Sequence, residues 1–101
     1  MTIYECLQST GLPCVYSHFR KKEDVNPPYI AYVGNGQDTF QADNTHYWRR
    51  NTYQVEYYFQ TKNEKLEASI EEALLGAGFI YDKSEDIFLE DQGVFLIYYY
   101  I

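Results

Sequence analysis

The sequence holds only two cysteines, two histidines and eight lysines and arginines among its 101 residues, and each scarcity excludes something. Cys6 and Cys14 stand apart with no C-x-x-C pattern. Neither a disulfide framework nor a thiolate zinc site has a basis, and both read as small buried residues in a reducing compartment. His18 and His46 lie in different segments, and a metal site would need carboxylates or thiols to join them in space. The eight basic residues face 15 acidic ones, for a net charge of −7. A groove that grips nucleic acid needs lysine and arginine to displace counterions from phosphates, so that task is not expected. The same acidity argues against anionic membrane surfaces. No apolar run approaches the length of a membrane span. Met1-Thr2-Ile3-Tyr4-Glu5 lacks the basic start and apolar core of a signal peptide.

Catalytic patterns are missing as well. No serine, cysteine or threonine sits in a nucleophile motif. Gly34-Asn35-Gly36 lacks the lysine and the following helix of a phosphate loop. The acidic pairs Glu71-Glu72, Glu85-Asp86 and Glu90-Asp91 read as solvated faces or turns. The expectation is a protein without enzymatic activity, metal or cofactor.

Aromatic side chains are abundant: 12 Tyr, 6 Phe and 1 Trp. Tyrosine buries area while keeping a polar tip, which suits half-covered sheets and interfaces. The length fits one domain, 1–101. Residues 2–10 read as a short helix stopped by Gly11 and Pro13, and Cys14 to Phe19 as a first strand. The run 20–24 is a polar turn. Asn26-Pro27-Pro28 leads stiffly into a strand from Tyr29 to Val33, closed by a turn at Gly34-Asn35-Gly36. Gln37 to Thr45 shows no clear period and reads as a long loop with Phe40 packed down, followed by a turn at Asp43-Asn44. Tyr53 to Gln60 alternates, with Tyr53, Val55, Tyr57 and Phe59 on one face, and this strand can begin as early as Tyr47. Thr61-Lys62-Asn63-Glu64 matches a capping box. Behind it Leu66, Ile70, Ala73, Leu74 and Ala77 form the buried stripe of a helix, with Glu67, Glu71 and Glu72 off it. Phe79 to Tyr81 opens another strand, interrupted at 82–84 and continued at 87–90. Val94 to Ile101 is a last strand, apolar or aromatic on both faces, and so central or covered by another chain. The order α-β-β-β-α-β-β predicts an α+β domain: a mostly antiparallel sheet of four to five strands with two helices on one side.

Two stretches are candidates for contact with a partner. Tyr47-Trp48-Arg49-Arg50 is the basic-aromatic patch, and it reads more readily as strand residues with arginine stems lying on rings than as a partner contact. Tyr98-Tyr99-Tyr100 offers core on one face and a subunit contact on the other. Phe40, within the long 37–45 segment, completes the set, because loops of that length need a reason.

These pieces together resemble a family of small phage and prophage proteins. The motifs are Gly11-Leu12-Pro13 after a short helix, Pro27-Pro28-Tyr29-Ile30 entering a strand, Phe40-Gln41-Ala42-Asp43-Asn44 with a following Tyr47, Tyr53-Gln54-Val55-Glu56-Tyr57-Tyr58, then Lys62 and a Glu-rich helix. The family is that of tail-completion, tail-terminator and head–tail joining proteins of long-tailed phages of Gram-positive hosts. The resemblance implies a small domain with a sheet flanked by helices. It also implies a homo-oligomeric ring, usually hexameric, at the head–tail junction of the virion, assembled in the host cytoplasm. The implied partners are tail tube and connector proteins, with DNA passing through the lumen unread. The alternative from composition alone is a small acidic prophage-encoded inhibitor that mimics DNA.

Overall fold

A capping box starts the first helix. Thr2 accepts from the Glu5 backbone N–H at 3.1 Å while the Glu5 carboxylate takes the Thr2 N–H at 3.4 Å, and α1 runs Ile3–Gln8. Gly11 leaves it at φ +82°, a conformation open to glycine at no steric cost. In the computed structural model the description covers residues 2–17, 26–41 and 47–101, with only the backbone along 38–41 and 47–50. His18, His46, Phe19, the polar run 20–24 and the turn at Asp43-Asn44 lie outside the described residues.

The strands are β1 (Cys14–Tyr16), β2 (Tyr29–Gln41), β3 (Tyr47–Phe59), β4 (Asp82–Lys83), β5 (Ile87–Leu89) and β6 (Val94–Tyr100), with α2 (Glu64–Gly76) between β3 and β4. They form one six-stranded sheet in the order β1-β2-β3-β6-β4, and β5 also pairs with β6. Every pairing is antiparallel except β1 with β2. A parallel pair cannot be joined by a tight hairpin turn, and residues 17–28 separate β1 from β2 in the sequence. β4 and β5 lie along the same edge of β6. Between them Ser84 stands in for a ladder residue: its N–H donates to Tyr98 O and its Oγ accepts from Tyr98 N, both at 2.9 Å. The fold is therefore α+β, as expected, with the interrupted edge strand resolved into two short ones. Pairing begins at Asp82 rather than at Phe79, so residues 79–81 are the approach to this edge and not its start.

Both helices cover the same face. Ile3, Cys6 and Leu7 of α1 and Ile70 and Leu74 of α2 join Ile30, Tyr32, Val55, Tyr57, Phe59, Ile97 and Tyr99 of the sheet in one buried cluster. β3 alternates as its sequence demands, sending Val55, Tyr57 and Phe59 inward. The N-cap of α2 is Asn63, whose side chain accepts from Leu66 N at 3.1 Å, not Thr61. Asn is as good a cap as Thr and stands two residues nearer the apolar stripe.

The largest departure from expectation is in β2. Gly34-Asn35-Gly36 does not turn the chain, and 37–41 is no loop: β2 continues to Gln41. Gly34 pairs with Tyr53 and Gln37 with Asn51, so Asn35 and Gly36 together oppose Thr52. That count is a β-bulge. Gly36 takes φ +87°, and Thr52 Oγ1 donates toward the carbonyls of both extra-register residues, 2.8 Å to Asn35 O and 3.0 Å to Gly36 O. A turn-like sequence is absorbed inside a strand because one threonine opposite satisfies it.

Candidate functional site

β6 pairs with β3 only from Phe59 back to Gln54, and Ile101 adds a two-way backbone pair with Tyr53 at 3.0 and 3.1 Å. On its other side β2 is flanked by β1 only at residues 30–32. Beyond the bulge β2 and β3 therefore continue as a two-stranded arm, paired with each other from Gln37↔Asn51 to Gln41↔Tyr47. Among the described residues no third strand joins either edge of this arm. The molecule measures 51 × 25 × 23 Å, about twice as long as it is wide. Strand edges that stay open are sites where another chain can pair, and folded proteins usually shorten or cover them.

Five of the eight residues singled out in the sequence fall on this arm. Phe40 is the register partner of Trp48, Gln41 of Tyr47, Thr39 of Arg49 and Asp38 of Arg50. Residues 37–41 of the expected loop and the basic-aromatic patch, separate in the sequence reading, lie on the two strands of one ribbon. The remaining three tyrosines divide. Tyr98 and Tyr100 lie on the helix-free face of the sheet with their rings stacked at 5.8 Å, and Tyr100 is 40% exposed. Tyr99 is a correction to the expected contact set: it is fully buried and belongs to the core.

The helix face of the sheet carries a polar network that the sequence reading missed. Glu67, assigned to the solvent side of α2, is buried. Lys83 Nζ donates to its Oε1 at 3.0 Å. Lys62 Nζ donates to the same oxygen at 3.0 Å and also sits 2.8 Å from Oε2, an approach close enough for an ion pair but without hydrogen-bond geometry. Lys62 continues to Asp86 at 2.9 Å and Lys83 to Glu71 at 3.2 Å. The hydroxyls of Tyr81 and Tyr99 each donate to Glu71 at 3.0 Å. This network fastens the β4–β5 edge to α2.

Burial alone would push the Glu71 carboxyl up. The hydrogen bonds from Lys83, Tyr99 and Tyr81 outweigh burial and hold it below its ordinary value of 4.5. A carboxylate depressed on folding contributes stability above its unfolded value, and that contribution is lost as pH falls through the folded value. Glu71→Gln is therefore expected to be destabilised relative to the parent at neutral pH, with the gap narrowing below about pH 4.5. Urea unfolding of both proteins between pH 3 and 7 measures it. A gap that stays constant with pH would remove Glu71 as the source.

A cleft of about 350 Å³ lies where the arm leaves the body, lined by Asn35 and Thr52 of the bulge and by Ile80, Tyr81, Asp82 and Tyr100. Ile80 is 76% exposed. Asp82 makes no ion pair with any described residue, whereas its neighbour Lys83 turns to Glu67 and Glu71. The described residues bring together no group of His, Cys, Asp and Glu able to hold a metal ion. No described helix is long and apolar enough to cross a membrane. Scanned against protein-family models and against curated proteins, the chain matches none.

Proposed function

We propose that this chain is a structural virion subunit of the tail-terminator or head–tail joining class, working by assembly into a ring through which DNA passes. The observation that carries the reading is the two-stranded arm, with Phe40, Tyr47, Trp48, Arg49 and Arg50 on it and no third strand against its described edges. An arm that reaches out from one end of a subunit contacts a different surface on the next. Contacts of that heterologous kind close into rings when the rotation per subunit divides a full turn. The resemblance to phage head–tail proteins supplies the biological setting, with tail tube and connector proteins as neighbours. A net charge of −7 fits a lumen that repels phosphates and lets DNA slide.

The alternative of an acidic DNA mimic draws less support, because Glu67, Glu71 and Asp86 are engaged in internal ion pairs instead of forming a phosphate-like row. Native mass spectrometry from low to high micromolar concentration tests assembly. The expected result is a closed oligomer of six subunits or near it, lost on Trp48→Ala. A monomer throughout, joined to a captured nuclease or polymerase and to no virion protein, would favour the mimic.

A further inference from the structure

We infer that the cleft at the root of the arm is the seat for Arg49 from the arm of a second copy of this chain. The inference deepens the assembly reading and rests on it. Three features of the cleft select a guanidinium. Asp82 offers a solvent-facing carboxylate with no ion pair among the described residues. Tyr100, 40% exposed, offers an aromatic face, and Ile80, 76% exposed, offers aliphatic surface for an arginine stem. Arginine combines a planar charge for the carboxylate, a face that stacks on rings, and a stem that covers apolar surface.

Charge says whose arginine it is. Residues 34–53 contain two acids, Asp38 and Asp43, and two bases, Arg49 and Arg50. The arm is thus neutral, and the whole net charge of −7 falls on the rest of the chain. Two bodies repel each other, while an arm can approach a body without that penalty. Within the arm, the register partner of Arg50 is Asp38, an acid. Arg49 stands opposite Thr39, which is uncharged. The arginine whose cross-strand partner carries no charge is the one assigned to Asp82 of the neighbour. Each copy carries one arm and one cleft, at different places on its surface, so the contact is head-to-tail and propagates.

Charge exchange between separate molecules tests this. Asp82→Arg and Arg49→Glu are prepared singly, both at exposed or arm positions away from the core, and followed by native mass spectrometry. Each alone is expected to need at least about tenfold more protein than the parent to assemble, since like charges meet at the contact. Mixed one to one, they assemble again within about threefold of the parent, because every contact is then Arg with Asp or Glu with Arg. Reassembly on mixing also shows that both variants are folded. If the parent assembles and Asp82→Arg assembles equally well, the arm seats elsewhere and the inference falls while the assembly reading stands. Rescue by Arg50→Glu but not by Arg49→Glu overturns the assignment to Arg49. A parent that stays monomeric at every concentration overturns both the seat and self-driven assembly.

Discussion

Ile97→Ala is expected to lower the free energy of unfolding by about 2–5 kcal/mol, toward the upper end of that range. Ile97 is fully buried, and its register partner on β3 is Tyr57. The cost of such a truncation depends on whether the surroundings can close over the space. Here they are held. Tyr57 stacks on Phe59 at 5.1 Å, and Phe59 in turn stacks on Phe95 at 5.4 Å. Tyr99, two residues along β6, is tethered through its hydroxyl to Glu71. Rings locked in a row and a tied phenol leave little freedom to collapse. Urea unfolding followed by far-ultraviolet circular dichroism gives the value. A loss under about 1 kcal/mol would mean that the core repacks easily. Ile80→Ala, at a 76% exposed position, is the comparison, with an expected change within about ±0.5 kcal/mol.

The second large effect is a difference in sign between two buried tyrosines on neighbouring strands. Tyr99→Phe is expected to cost about 1.5–3 kcal/mol, the range for a hydrogen bond to a charged group. Its hydroxyl donates to Glu71 at 3.0 Å, and burial together with that bond holds the phenol well above its ordinary titration range. Tyr57→Phe is expected to be neutral or to gain about 1 kcal/mol, since its buried hydroxyl has no hydrogen-bond partner among the described residues and an unsatisfied group is costly. Burial first, and the charge of Glu67 second, push the Tyr57 phenol up to about 12, so it stays neutral in ordinary buffers. Thermal and urea unfolding of the two variants side by side measure the contrast. Equal losses at both positions would show that the two hydroxyls are equivalent.

Much of the architecture was legible because it depends on period. The alternation through Tyr53, Val55, Tyr57 and Phe59 placed β3, and the stripe Leu66, Ile70, Leu74 placed α2, since each pattern suits one backbone only. Val94 to Ile101 was readable from its lack of a polar face as either central or covered by another chain, and it lies between β3 and β4 in the sheet. Where the reading failed, a local signal was overridden by a partner far away in sequence. Gly34-Asn35-Gly36 has the composition of a turn, and nothing near it reveals that Thr52 will satisfy its carbonyls. Glu67 lies at i−3 from Ile70 and i−7 from Leu74, which is the spacing of the buried face. Its charge suggested solvent, and the lysines that offset its burial lie five residues before it and 16 after it. Of the candidate contact residues, Phe40 and the 47–50 run were picked for residue type and place in the chain. That they oppose each other on one ribbon depends on β2 extending past the bulge, a feature of pairing that no single segment encodes.

The bulge also separates the two ends of the molecule in a way a genetic experiment would notice. On a regular ladder, cutting one residue from a strand inverts which way every later side chain points. Here one surplus residue is already stored opposite Thr52. Deleting Asn35 would discharge that surplus and leave pairings on the body side, such as Tyr32 with Val55, and on the arm side, such as Phe40 with Trp48, each internally intact. What would alter is the local twist between them, because bulges sharpen it. The arm would keep its own surface and swing to a new bearing. In the ring proposed above, that bearing would set the angle between successive subunits, so this single insertion would act as a vernier on how many of them close the circle.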